Sequence, residues 1–216
     1  MDLQQYPITY FLIAANVVIS LIGFSNAEFL NKTILWPYYI KRKHEYWRMI
    51  TSGFLHADYM HLFFNMFTLF FFGKNIELIF EVLGLGGKAM YLALYFGALI
   101  VSDIPTTIKH KDDYHYRALG ASGAVSAIVF AAIIFNPWGK ILLYGAIGIS
   151  ALLYAVLFVV YCVYMGKQNA DNVNHDAHLW GSIFGLAFTG ILIGVLQPVF
   201  FDGIIEQLKD PSIFGH

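Results

Sequence analysis

The sequence is poor in charged residues and has almost no cysteine. Only 12% of its 216 residues are charged and 58% are hydrophobic, whereas a soluble domain usually carries about 25% charge. Cys162 is the single cysteine, which excludes an intrachain disulfide. The formal net charge of −1 offers no excess of basic residues, so we expect no nucleic-acid partner. This composition predicts an integral, multi-pass membrane protein that contacts a lipid bilayer.

Six apolar runs approach or exceed the roughly 20 residues that a helix needs to cross a bilayer. They cover about 8–24, 59–80, 89–104, 118–135, 141–165 and 177–201. The first is interpreted as a retained helix, because residues 1–7 lack Lys and Arg. Pro105 is expected to end the third, because proline interrupts helical hydrogen bonding. The runs predict an all-α membrane protein with one domain over 1–216, a core at about 7–201 and an amphipathic tail at 202–216.

The segment 26–58 is too apolar for an ordinary soluble loop. It contains five of the 13 Lys and Arg residues and several Trp and Tyr residues, a mixture that is typical of a membrane interface. We therefore expect short helices at the membrane surface. With a cytoplasmic N-terminus, the cytoplasmic segments would hold four of the 13 basic residues, and the positive-inside rule favours the opposite orientation. Charge alone leaves the orientation open.

A serine and a histidine stand out in the fourth and sixth runs. Ser122 lies among small residues, which commonly let transmembrane helices approach closely, and it is also a candidate nucleophile. His178 shares one helical face with Gly181 and Gly185, so a neighbouring helix can come close to the imidazole. His178 is therefore a candidate base, although it could simply bond a backbone carbonyl. His175, one turn earlier, is a competing base.

Two further polar residues lie on one face of the second run. His61 and Asn65 are four residues apart, and polar groups at bilayer depth are costly unless they have a partner or a function. One interpretation is hydrogen bonding between helices. The other is an oxyanion hole, in which amide and imidazole N–H groups face developing negative charge.

These residues fall into three ordered blocks that resemble the rhomboid family of intramembrane serine proteases. The resemblance covers about 47–185, and it implies a six-transmembrane-helix bundle with a membrane-associated loop between the first two helices. Each block alone is weak, but all three occur in the family's order on the expected runs. The blocks are Trp47-Arg48 with His61-x-x-x-Asn65, then Gly120-x-Ser122-Gly123, then Ala177-His178-x-x-Gly181-x-x-x-Gly185.

The resemblance implies a role for each matching residue. Ser122 would be the nucleophile and His178 the general base, in a dyad without a carboxylate. The oxyanion would be bound by Asn65, His61 and the Ser122 backbone N–H. Gly181 and Gly185 would let the sixth helix pack against the fourth. The structural residues would be Trp47 and Arg48 in the interfacial loop, with Gly120 and Gly123 beside the serine.

The sequence departs from the family at one position. The family usually has an aromatic residue one turn after the serine, packed on the histidine ring, and this chain has Ser126 there. Asp103 and Asp176 are poor candidates for a third catalytic member, because Asp103 ends the third run and Asp176 lies about 200° around a helix from His178.

The expected reaction is hydrolysis of peptide bonds in or next to transmembrane segments of membrane-protein substrates. For a bacterial chain the expected location is the plasma (inner) membrane. No cofactor is predicted, and no metal, because the histidines lack zinc-ligand spacing with an adjacent glutamate. Two alternatives stay open: a proteolytically silent relative that binds or escorts transmembrane helices, and a small transporter, which the absence of internal repeats disfavours. The oligomeric state is not predicted.

Overall fold

The computed structural model describes residues 2–143, 147–168, 171 and 173–209, most of which are helical. The chain begins with a short α1 (Asp2–Gln5) and a long α2 (Pro7–Ser25), and the remaining elements follow in order. These are α3 (Ala27–Thr33), α4 (Pro37–Lys43), α5 (Arg48–Thr51), a 3-10 turn (Ser52–Phe54), α6 (Tyr59–Thr68), a π-helical turn (Leu69–Gly73), α7 (Lys74–Val82), α8 (Gly87–His110), α9 (Ser122–Phe135), β1 (Lys140–Leu143), β2 (Ile147–Ser150), α10 (Ala151–Gln168), α11 (His175–Leu196) and α12 (Pro198–Lys209).

Five helical segments are long and apolar enough to cross a membrane: α2, the continuous Tyr59–Val82 helix, α8, α10 and α11. The shorter α9 is apolar throughout, and it is buried along most of its length against α8 and α11. A helix that is hydrophobic on every side is stable only when other apolar elements or lipid surround it. These six segments follow the order of the predicted runs, which confirms the predicted helical membrane bundle.

The interfacial segment contains the predicted short helices, and Arg48 anchors it. The guanidinium donates to the carbonyl oxygens of Asn31 (2.9 Å) and Ile34 (2.8 Å), and its Nε donates to Glu45 Oε2 at 2.6 Å. Arg48 is only 5% exposed, whereas Trp47 is 52% exposed. Arg48 thus makes the structural contacts of this pair, while the ring of Trp47 lies on the surface in the manner of an interfacial aromatic.

The prediction that Pro105 ends the third helix is wrong. Helix α8 runs through Pro105 to His110. Contacts with the start of α11 favour this extension: Thr106 Oγ1 donates to Asn174 Oδ1 at 3.0 Å, and Lys109 pairs with Asp176 at 3.1 Å. The cost of one lost backbone hydrogen bond is offset by tertiary contacts that no local pattern reveals.

The predicted start of the fourth helix at residue 118 is four residues early. Ala118 instead pairs with Leu35 in an isolated antiparallel bridge, with N···O distances of 3.0 and 3.1 Å. Gly120 then takes a φ of +131°, a region that L side chains rarely adopt, and α9 begins at Ser122. Ser122 is thereby placed at the N-terminus of a buried helix.

The predicted fifth helix begins too early, and the predicted sixth ends too late. Residues 140–143 and 147–150 form an antiparallel hairpin, with Ile141 opposite Ile149, and the helix starts only at Ala151. Branched residues alternating through this stretch favour strand pairing, while residues 144–146 lie outside the described ranges. At the other end α11 stops at Leu196 because Pro198 cannot continue it. The tail continues as α12 to Lys209, and residues 210–216 lie outside the described part.

Candidate active site

The close contact between α9 and α11 determines the geometry of the site. A Cβ atom on Gly181 would meet the carbonyl oxygen of Gly123, and one on Gly185 would meet the backbone of Ala127. The residue numbers rise together along both helices, so the two helices run parallel with their N-termini at the same end. Small residues permit this approach, and the contact places the ends that carry Ser122 and His178 side by side.

Ser122 is the first residue of α9 and is partly buried. The first N–H groups of a helix have no partner within the helix and carry its positive dipole end. The preceding turn is fixed by a hydrogen bond from the Gly120 N–H to the Ser52 carbonyl oxygen at 3.0 Å. Gly123 leaves room for Ser102, whose Oγ a Cβ at position 123 would meet. The serine hydroxyl therefore lies beside backbone donors suited to an anion.

His61 presents an N–H group toward the serine. The Ala57 N–H donates to His61 Nδ1 at 3.4 Å, so the proton of the neutral ring is on Nε2. A Cβ atom on Gly120 would lie 3.1 Å from His61 Nε2 and 3.6 Å from Ser122 Oγ. The Nε2–H and the serine hydroxyl consequently border the same small space, which any side chain at position 120 would fill.

Asn65 lies one turn after His61 and is only 7% exposed. Its Nδ2 donates to the His61 carbonyl oxygen at 3.0 Å. Because an amide nitrogen carries two protons, this bond fixes the side chain and leaves a second N–H for a ligand. The side chain is therefore both oriented and able to donate.

His178 lies in the first turn of α11, where an aromatic ring packs on it. The ring of Phe158 in α10 stacks on the imidazole with a centroid distance of 6.1 Å and an interplanar angle of 26°. Ser126, at the position where the family usually has an aromatic, is buried within α9. The aromatic contact to the imidazole thus comes from Phe158 of α10, which lies 20 residues before His178 in the sequence. No sequence pattern distinguishes this residue from the many other aromatics of the chain.

Within the described ranges, the hydrogen bonds of the structure do not include one between Ser122 Oγ and the His178 ring. A Cβ atom on Gly123, next to Ser122, would nevertheless lie 3.4 Å from the carbonyl oxygen of Ala177, next to His178, and His61 borders Ser122. Catalytic hydrogen bonds are often long or unformed without substrate and tighten in the complex. The structure therefore brings the predicted nucleophile, base and oxyanion donors to the same end of the α9–α11 pair, and the predicted dyad is open.

A polar cavity of about 10 Å³ lies beside Ser122, which is room for about one water molecule. Its wall includes Asp103, to which Ser52 Oγ donates at 3.4 Å. Asp103 thus lines the cavity and accepts a hydrogen bond from Ser52, whereas Asp176 forms an ion pair with Lys109. The polar lining residues are Ser52, Ser102, Asp103, Ser122 and Asn174.

His175, the competing base, is the first residue of α11 and is 4% exposed. Its Nε2 lies 3.0 Å from Asp171 Oδ1. That nitrogen is therefore occupied by a carboxylate rather than directed at the serine. Cys162, to which the sequence assigned no role, lies near both His175 and His178.

Comparison with known proteins agrees with this architecture. The Rhomboid domain model matches residues 43–195. "Putative rhomboid protease YdcA" of Bacillus subtilis (strain 168) is 27% identical over 197 residues, which cover 88% of this chain and 91% of that protein. "RHOMBOID-like protein 12, mitochondrial" of Arabidopsis thaliana is 29% identical over 149 residues, covering 62% of this chain and 43% of that protein. "Rhomboid protease GluP" of Bacillus subtilis (strain 168) is 25% identical over 147 residues, covering 68% and 27%.

The chain spans nearly the whole of the first relative but less than half of the other two. The domain match covers most of the helical bundle, from the end of the interfacial α4 to the last turn of α11. This multi-pass membrane protein therefore belongs to the rhomboid family.

Proposed function

We propose that this protein is an intramembrane serine endopeptidase, which hydrolyses peptide bonds in or next to transmembrane segments of membrane-protein substrates. The observation that carries the proposal is the backbone contact of α9 with α11 at Gly123 and Gly181, because it brings the helix ends of Ser122 and His178 together. The protease names of relatives that match most of the chain's length support the same reaction class.

The proposed reaction begins when Ser122 Oγ attacks the carbonyl carbon of the scissile bond and its proton passes to the His178 imidazole. The resulting oxyanion accepts hydrogen bonds from the Ser122 N–H, His61 Nε2–H and the free N–H of Asn65. Collapse breaks the C–N bond, and the amine leaves with the proton from His178. Water then attacks the acyl ester, again with His178 as base, and regenerates the serine.

The imidazole is held without a carboxylate in this scheme. Stacking on Phe158 restricts the ring, while in a triad an acid would fix its orientation and tautomer. Offset aromatic pairs contribute about 0.5–1.5 kcal/mol beyond their buried area. Phe158 is therefore proposed as a positioning residue that supplies from α10 what Ser126 does not supply from α9.

The proposed substrate reaches the site sideways from the lipid, between the Tyr59–Val82 helix and α10. Helix α10 has 17% of its most apolar stretch buried inside the protein, the lowest share of the five long helices. Four phenylalanines on the Tyr59–Val82 helix are more than half exposed and offer an apolar wall. A helical peptide bond must unwind before attack, so helix-breaking residues near the cleavage point would favour hydrolysis. The four rings belong to Phe63, Phe64, Phe67 and Phe71.

The decisive experiment uses purified protein with a panel of single-span substrates. Ser122→Ala and His178→Ala should each abolish cleavage while the protein stays folded by gel filtration and circular dichroism. Ser126→Ala is the matched control, because this buried serine lies one turn further along the same helix, and it should keep activity. Full activity in Ser122→Ala would overturn the proposal.

The open dyad favours one alternative, a proteolytically silent family member that binds transmembrane helices. A fluorophosphonate probe, which reacts only with an activated serine, separates the two functions. The protease predicts labelling of the wild type that Ser122→Ala removes. A wild type that stays unlabelled in both detergent and lipid would favour the silent binder.

A further inference from the structure

Three side chains with metal-binding chemistry meet where α10 faces the start of α11. One ligand atom each from Cys162, His175 and His178 lies within 4.8 Å of the other two. Cys162 is 1% exposed and His175 is 4% exposed, and His178 is partly buried. The reaction proposed above uses only His178. The other two are polarisable or basic groups placed in the interior without a catalytic task.

His175 is arranged in the way that metal-bound histidines usually are. Its Nε2 lies 3.0 and 3.2 Å from the two carboxylate oxygens of Asp171. An imidazole that donates from Nε2 to a carboxylate keeps a free lone pair on Nδ1. That Nδ1 is buried and has no hydrogen-bond partner among the described residues. A carboxylate behind one ring nitrogen fixes the tautomer and raises the basicity of the other, as is common in zinc sites.

We propose that Cys162, His175 and His178 form a binding site for Zn²⁺, with a water molecule as the fourth ligand. At zinc bond lengths of about 2.0–2.3 Å, tetrahedral ligand atoms lie roughly 3.3–3.6 Å apart, so side-chain movements of about 1 Å bring the three groups into place. The two imidazoles bind as neutral rings. The thiol binds as thiolate, and its proton is released to water when the metal enters.

The donor set selects the class of metal. Thiolate and imidazole favour zinc and related late transition metals, whereas Mg²⁺ and Ca²⁺ prefer oxygen ligands. Asp171 is exposed, and it lies on the segment that joins α10 to α11, so the cluster can be reached from the aqueous end of the bundle. The sequence predicts no metal because its histidines lack zinc-ligand spacing with an adjacent glutamate, and Cys162 belongs to a different helix from the histidines.

Zinc at this site would inhibit proteolysis, a consequence that rests on the proposed function. An imidazole nitrogen whose lone pair binds zinc cannot take a proton, and the other nitrogen of the metal-bound ring already carries one. His178 would therefore be lost as a base for Ser122. Zinc bound to the cluster would therefore inhibit the proposed Ser122–His178 dyad.

The test of binding uses Co²⁺ as a spectroscopic substitute for zinc, on the full chain in detergent after removal of metals with a chelator. Cys162 is the only cysteine in the chain, so a thiolate-to-cobalt charge-transfer band can arise only there. The wild type should show this band together with the intense visible bands of tetrahedral cobalt, and Zn²⁺ should displace both. Cys162→Ala should lose the charge-transfer band, and His115→Ala, which removes an exposed histidine outside the cluster, should keep it.

Asp171→Asn should bind cobalt about 10- to 100-fold more weakly, since outer-sphere carboxylates typically contribute this factor. Ser122→Ala should bind cobalt like the wild type, so binding is tested independently of proteolysis.

Inhibition is measured as the ratio of each variant's cleavage rate with and without Zn²⁺. Cys162→Ala should require at least tenfold more zinc than the wild type for the same inhibition. Absence of the charge-transfer band in the wild type would overturn the site. Cobalt bands in His175→Ala that are the same as those of the wild type would also overturn it. Normal cobalt binding in a protein that never cleaves would overturn the proposed function alone.

Discussion

At the scale of single residues, the proposed oxyanion donors are held by contacts of their own. Asn65 is oriented by the bond from its Nδ2 to the His61 carbonyl oxygen, and it has one N–H left. Asn65→Ala should lower kcat by about 100- to 1,000-fold, as loss of one oxyanion donor typically does, without abolishing cleavage. The measurement is steady-state kinetics on a model single-span substrate.

The matched control for Asn65 is Thr68→Val on the same helix, where Thr68 Oγ1 donates only to the Phe64 carbonyl oxygen at 2.8 Å. It should leave kcat within about twofold of the wild type, because an exposed hydrogen bond contributes little. An equal loss in both variants would show that the effect of Asn65 is structural.

Phe158 gives a second prediction at this scale. Phe158→Ala should lower kcat by about tenfold or less, since an aromatic contact contributes about 0.5–1.5 kcal/mol, and KM should change little. Phe158→Tyr should restore the rate because it restores a ring. Leu157→Ala, an exposed neighbour on α10, is the control for removal of apolar surface. A change confined to KM would assign Phe158 to substrate binding instead.

At the scale of elements, the contact of α9 with α11 leaves no space for side chains at two glycines. Gly185→Ala places a Cβ against the backbone of Ala127, and we expect a loss of about 1–3 kcal/mol in stability together with reduced cleavage. The measurement is unfolding by titration with SDS, followed by circular dichroism.

Helix α11 provides its own control for this substitution. Gly190 lies five residues further along, and a Cβ there would meet no atom within 4 Å. Gly190→Ala should keep or slightly raise stability, because alanine favours helix over glycine. Equal destabilisation at both glycines would mean that contact with α9 does not decide the effect.

The order and type of the main helices follow from hydropathy, but several helix ends do not. Apolar length is enough to locate the spans, because each must satisfy its backbone within the bilayer. The ends depend on tertiary contacts: Lys109 with Asp176 extends α8 beyond Pro105, and Ala118 with Leu35 delays α9. The hairpin before α10 is not predictable from hydropathy, because a continuous apolar run fits a buried helix and a strand equally well.

The candidate site is likewise divided into residues that the sequence predicts and residues that only the packed helices reveal. Motif and spacing identify Ser122, His178, His61 and Asn65 as candidates, and the structure brings them to the same end of the α9–α11 pair. Phe158 and Cys162 had no local signal, since each lies among many apolar residues of α10 and acquires its contacts only when α10 packs near α11. Spacing along one helix is readable from sequence, whereas partners across helices require the packed molecule.

At the scale of the whole molecule, a buried histidine connects stability to pH. His56 is 2% exposed, and its Nδ1 lies 2.8 Å from Ser20 Oγ in α2, which itself donates to the Phe54 carbonyl oxygen. Burial, with a smaller contribution from the nearby His61, lowers the pKa of His56 from 6.5 to about 3. The folded protein therefore keeps this ring neutral at pH values where the unfolded chain protonates it.

The sign of the effect follows from linkage. Between pH 6.5 and about 3 the unfolded state binds the extra proton, so stability is full above pH 6.5 and falls as the pH drops, by at most about 1.4 kcal/mol per pH unit from this group. His56→Gln should flatten the pH dependence of SDS unfolding over that window. Replacement of exposed His115 by Gln should leave the slope unchanged, and identical slopes in all three proteins would contradict the assignment.

The length of α9 limits the depth at which the proposed nucleophile can lie in the membrane. Its 14 residues span about 21 Å, roughly 9 Å less than the hydrocarbon core of a bilayer. If Ser122 is the nucleophile, new chain ends form below the lipid headgroups, and each membrane-anchored product keeps a stretch too short for the surrounding bilayer. Hydrophobic mismatch would then modestly disfavour that product in the surrounding bilayer, so bilayer thickness would affect product release as well as access.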